Sequence, residues 1–172
     1  MGDLSNEPDP GLLATYLNDH LTGAEAGVAL ASRIARVQQG TPSGPALAHA
    51  AVEIERDRAA LIQIMKDLGV PRRRLKRALG RLAEKVGRLK LNNRLLRRSP
   101  LSSVVELESL WLGVNGKSRL WHSLGAVAAG DNGLSPQLLD HLLDRARQQA
   151  DELEDLRMRA VEDAFGVLSH RG

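Results

Sequence analysis

Residues 135–168 read SPQLLDHLLDRARQQADELEDLRMRAVEDAFGVL, and this stretch decides the fold. Leu139, Leu142, Leu143, Ala146, Ala150, Leu153, Leu156, Ala160, Ala164 and Leu168 recur every three or four positions, the period of an amphipathic helix. Ser135 is a natural N-cap and Pro136 suits the first helical position, where no backbone N–H is needed. A single helix over 135–168, here helix D, is therefore predicted. Working backwards, Asp131-Asn132-Gly133 reads as a turn, and before it Val104, Leu107, Trp111, Val114, Ser118 and Trp121 give another inward stripe. Ser99-Pro100 starts this helix C, predicted over 100–125.

The first third of the chain repeats the arrangement. Leu13, Leu17, Ala24, Val28, Ala31 and Ile34 mark helix A over 12–39, stopped by Gly40-Thr41-Pro42. Ser43 or Gly44 then caps helix B over 43–69, with Pro45 in its first turn. Its inward stripe reads as Ala48, Ala51, Val52, Ala59, Ile62 and Met65, until Gly69-Val70-Pro71 ends it. Leu and Ala are abundant, whereas β-branched and aromatic residues are sparse, so the expected class is all-α. Residues 1–10 carry three acids, two prolines and no apolar period, and are expected to form a disordered tail before one helical-bundle domain at 11–172.

Composition excludes several function classes. The 172 residues contain no cysteine, which removes disulfides, thiolate catalysis, iron–sulfur clusters and thiolate zinc sites together. No apolar run is long enough to span a membrane, and Met1–Pro10 is acidic rather than signal-like, so a cytoplasmic protein is expected. Gly113-Val114-Asn115-Gly116-Lys117-Ser118 ends like a phosphate-binding loop. It lacks the leading glycine spacing and a preceding strand, so it reads as coincidence.

Charge is unevenly spread. Residues 72–98 contain twelve Lys or Arg and only Glu84 as an acid, a net of +11, while the rest of the chain carries −8. Leu75, Leu79, Leu82, Val86 and Leu89 form an apolar seam, opposite Arg74, Arg77, Arg81, Lys85 and Arg88. An extra basic amphipathic helix is expected, with those five cations as a surface for nucleic acid or an anionic membrane. The segment has no aromatic residue, so nucleic-acid binding would be sequence-independent. The reading that a seam of five aliphatics favours, however, is packing on the chain's own bundle with the cations in water, or docking onto an acidic partner subunit.

Two helical hairpins joined by one long crossover resemble the ferritin-like superfamily. The opening Tyr16-Leu17-Asn18-Asp19-His20-Leu21, with Gly23 and Gly27, is similar to that of uncharacterised bacterial ferritin-like proteins. The resemblance covers about residues 12–69 and 99–168. It implies a four-helix bundle, and in di-iron members one Glu on each of two helices and a Glu-x-x-His pair on each of the others.

Hairpin symmetry tests that expectation. With a turn near residue 41, Glu25 and Glu55 stand at nearly one height; with a turn near 132, Glu108 stands beside Arg157, one turn from Glu154. Carboxylates therefore occupy every expected helix. Where the resemblance calls for histidines, however, this chain has Arg58 and Arg157, whose guanidinium groups have no lone pair to give a metal. The expectation is a buried polar centre of Glu25, Glu55, Arg58, Glu108, Glu154 and Arg157 that binds no cofactor. Ordinary surface pairing of these residues, as for Glu53/Arg56 and Asp144/Arg147, is the alternative. If metal binds, an iron or manganese pair on Glu25, Glu55, Glu108 and Glu154 is the arrangement to expect. His20 reads as a core histidine bonded to Tyr16 or Asn18. No catalytic residue emerges, and the leading expectation is a non-catalytic homodimeric bundle acting through interaction or in stress.

Overall fold

A computed structural model describes residues 10–73, 99–128 and 133–166. Within them the chain is all-helical, with α1 at Pro10–Val37, α2 at Gly44–Asp67, α3 at Pro100–Ala128 and α4 at Pro136–Phe165. The tail at 1–9, the segment 74–98 and residues 167–172 lie outside the described residues, and with them Arg74, Arg77, Arg81, Lys85 and Arg88.

Local chemistry explains the ends. The Ser135 hydroxyl accepts from the Leu138 N–H at 3.3 Å and Pro136 follows, as an N-cap requires. At the other end Gly166 has φ +65°, and its N–H bonds Glu162 O at 3.0 Å, so α4 stops three residues short of the apolar stripe read to Leu168. Gly69, at φ +67°, closes α2 in the same way. Gly44 serves a different need: a Cβ there would stand 2.6 Å from the Gln38 carbonyl oxygen, so the tight α1–α2 turn excludes any side chain.

The helix directions follow from bonds between them. Tyr16 Oη lies 3.3 Å from Ser123 Oγ, and Arg33 pairs with Glu106 at 2.9 Å, so α1 and α3 are antiparallel. His49 with Glu152, and Asp57 with Arg145, make α2 and α4 antiparallel. Arg157 with Glu108, and Lys117 with Gln149, do the same for α3 and α4. Hence α2 and α3 point the same way, and the chain leaves α2 at the opposite end of the bundle from the start of α3. Asn18 fixes where it departs: its Nδ2 donates to Pro71 O at 3.2 Å and its Oδ1 accepts from the Arg73 N–H at 2.7 Å.

The core is a single apolar cluster from all four helices, including Leu17, Ile34, Leu61, Leu120, Trp121, Leu142 and Leu153. Each fully buried aliphatic side chain contributes roughly 1.5–3 kcal/mol. On α2 the buried positions are Leu47, Ala50, Ile54, Asp57, Leu61 and Ile64, with Glu53 and Met65 beside them. This differs from the stripe read from sequence, in which Ala48, Val52 and Ala59 prove exposed. The physical reason is that a buried acid at 57 interrupts the true stripe, whereas alanines, small enough for either face, completed a false one.

Candidate functional site

The rotation of α2 decides what occupies the centre. With Ile54, Leu61 and Ile64 inward, the same face carries Asp57, 1% exposed, and Glu53, 8% exposed. Opposite them, α3 turns Lys117 inward between Val114 and Trp121, and α4 presents Arg145 and Gln149 between Leu142 and Leu153. Burying a lone carboxylate costs several kcal/mol, so Asp57 is tolerable only with partners.

It has them on both oxygens. Arg145 donates to Oδ1 from Nε at 2.8 Å and from Nη2. Lys117 Nζ donates to Oδ2, which also accepts from Gln149 Nε2 at 3.0 Å. Gln149 closes the ring by accepting Lys117 Nζ on its own Oε1. Glu53 adds a second anion, 3.8 Å from Arg145 Nε and held by Arg56 at 2.5 Å. Burial pushes the Lys117 ammonium below its ordinary value against the opposing pull of Asp57. The cluster therefore ties α2, α3 and α4 together through charge-assisted bonds.

The six residues expected to form a buried centre lie elsewhere, in two separate groups. On the α1–α2 side Arg58 forks onto Glu55, Nε being 3.2 and 3.1 Å from its two oxygens, with the Glu25 charge adding to the stabilisation of the guanidinium. On the α3–α4 side Arg157 grips Glu154 at 2.7 and 2.6 Å and reaches Glu108 at 3.7 Å. The side chains of Glu55, Glu108 and Glu154 are 44%, 49% and 42% exposed, so these are boundary pairs rather than a centre. The arginine bond holds the Glu55 and Glu154 carboxyls below their usual value, and the same bonds raise Arg58 and Arg157. Asp57, Lys117, Arg145 and Gln149 escaped the sequence reading. The signal that could have found them is spacing: 54, 57, 61, 64 on α2 and 146, 149, 153, 156 on α4 are unbroken helical periods only if the polar member is counted.

Lys117 also settles the loop-like Gly113–Ser118 stretch. These residues lie within α3, whose backbone N–H groups are spent on the helix, so the phosphate-cradling geometry is absent there. Instead Gly113 and Gly116 border a cleft of about 500 Å³ between α1, α2 and α3. From the pairs above, facing positions of α1 and α3 add to about 139, which sets Gly23 level with Gly116 and Gly27 near Gly113. Missing side chains on both walls leave the space open: a Cβ at Gly23, Gly113 or Gly116 would meet nothing within 4 Å. His20 lines the cleft with its ring edge-on to Tyr16, centroids 4.6 Å apart, and burial lowers its pKa.

Comparison with protein-family models, curated proteins and solved structures finds none that matches the chain.

Proposed function

We propose that this chain is a non-catalytic, ferritin-like helical bundle whose centre is neutralised by its own cations, and that it acts by binding rather than turnover. Support for the bundle type is the order of helix directions: two antiparallel hairpins with α2 and α3 parallel, so that the end of α2 and the start of α3 lie at opposite ends of the bundle, is the wiring of that class. The observation that carries the functional reading is Asp57, buried with both carboxylate oxygens engaged by Lys117, Arg145 and Gln149. A di-metal centre needs several carboxylate or imidazole lone pairs directed at one point. Among the described residues no three His, Cys, Asp or Glu side chains are grouped to hold a metal ion. Glu25, Glu55, Glu108 and Glu154 fall in two groups on different helix pairs, and two of the groups' members are arginines. These residues do not fit a pair of metal ions.

The experiment is a thermal melt of the purified protein with chelator, with Mn(II), and with Fe(II) under argon. A metal bound at a hundred times its dissociation constant stabilises by about 2.7 kcal/mol, or roughly 5–10 °C for a domain this size. The expected outcome is one melting temperature under all three conditions. A saturable rise of that order with either metal would overturn the proposal.

A further inference from the structure

The cleft beside the neutralised centre has the dimensions of a small-molecule site, which ordinarily spans 300–1,000 Å³ and is mostly apolar with a few placed polar groups. Its walls are largely aliphatic, from Ile54, Leu61, Leu110, Val114 and Leu120, and glycines of both α1 and α3 border it. Besides Asp19, His20, Asp57 and Arg58, the lining includes two donor groups of α3, one helical turn apart: Lys117 and Trp121.

Both have donor capacity to spare. Lys117 Nζ carries three N–H bonds, of which Asp57 and Gln149 take two. Trp121 is 1% exposed, and its indole N–H is the one buried side-chain polar atom among the described residues with no hydrogen-bond partner. A buried donor without an acceptor has given up its hydration for nothing, so natural structures seldom keep one unless something else supplies the acceptor. Asp57, which also lines the cleft, has both oxygens engaged by Arg145, Lys117 and Gln149. Hence α3 offers donors to the cleft, one of them cationic, and asks for an acceptor.

We infer that the α1–α2–α3 cleft binds a small, chiefly apolar carboxylic acid, its body lying in the glycine-bordered space and its carboxylate accepting from Lys117 Nζ and Trp121 Nε1. A charge-assisted bond from Lys117 favours a carboxylate over a neutral head, and an ammonium head would meet a cation. Gly23, Gly113 and Gly116 matter because a side chain at any of them takes up room that the body of the ligand needs.

The test uses decanoate, 1-decanol and decylamine below their aggregation limits, titrated calorimetrically into the full-length chain. The expected result is saturable binding of one decanoate per chain, at least about tenfold tighter than decylamine, since one such contact is worth about 1.4 kcal/mol. Gly113→Leu, which adds a side chain where a Cβ meets nothing and replaces glycine within a helix, is expected to fold and to weaken decanoate and decanol alike by at least about tenfold. Trp121→Phe removes the indole donor while keeping a ring, and is expected to weaken decanoate more than decanol. Trp111→Phe leaves Trp121 as the sole tryptophan, and its fluorescence should shift along the same decanoate isotherm. Absence of saturable decanoate binding, or binding unaltered by Gly113→Leu, would overturn the site. Equal or tighter binding of decylamine would overturn the carboxylate assignment.

Discussion

Lys117→Met is the most informative single change to the centre. Met keeps the length and apolar stem of lysine but removes the ammonium from Asp57 Oδ2 and from Gln149 Oε1. Breaking a buried ion pair by deleting one partner costs about 3–5 kcal/mol, because the remaining charge stays desolvated. Here Arg145 remains on Oδ1 and the Gln149 amide on Oδ2, so the lower end applies, about 3 kcal/mol. At 2–4 °C per kcal/mol for a chain of this size, the melting temperature should fall by roughly 6–12 °C. Urea unfolding followed by circular dichroism at 222 nm would give the free-energy difference directly, with an unchanged m-value marking an intact fold. Adding Asp57→Leu to Lys117→Met removes the stranded anion, so the double variant should be more stable than the two separate losses predict. A Lys117→Met protein within about 0.5 kcal/mol of the parent, the size of an ordinary surface substitution, would refute the claim that this ammonium compensates a buried carboxylate.

The boundary groups should behave differently. Arg157→Ala, which releases the half-exposed Glu154 and Glu108, should move the urea midpoint far less than Lys117→Met does, with an effect that shrinks at high salt. Acid should destabilise the bundle in two steps. His20 has its pKa lowered by burial below 6.5, so the unfolded chain binds the proton more readily and stability falls as pH drops through and below that value. Glu55 and Glu154 are held below 4.5 by their arginines, so their contribution, present above that value, is lost as pH falls further. Replacing His20 with Phe should flatten the first step of a stability–pH profile and leave the second.

Much of the fold was legible in the sequence, because helix ends and hydrophobic periods are local. Ser135-Pro136, Ser99-Pro100 and Gly69-Val70-Pro71 each mark a boundary within two residues of where the structure has it. Hairpin symmetry likewise set Glu108 beside Arg157, which meet at 3.7 Å. The interior was less legible for a reason of physics. Sequence reading assigns charges to water, and Asp57, Lys117 and Arg145 are charges whose burial is tolerable only because each compensates the others from a different helix. That compensation is a tertiary fact whose one local trace is the spacing of 54, 57, 61 and 64, and a stripe that leaves out the polar member turns α2 by about one residue and gives Glu55 the inward place that belongs to Glu53 and Asp57. The cleft is of the same kind: nothing local in the sequence shows that Gly23 and Gly27 of α1 face Gly113 and Gly116 of α3 across a space.

The central claim is that the cations of this bundle are side chains. Elemental mass spectrometry of protein purified from iron- and manganese-supplemented cells, normalised to chain concentration, tests it most directly. The account predicts metal far below one ion per chain and no change on dialysis against chelator. About two ions per chain, the stoichiometry of a di-metal carboxylate bundle, would contradict it.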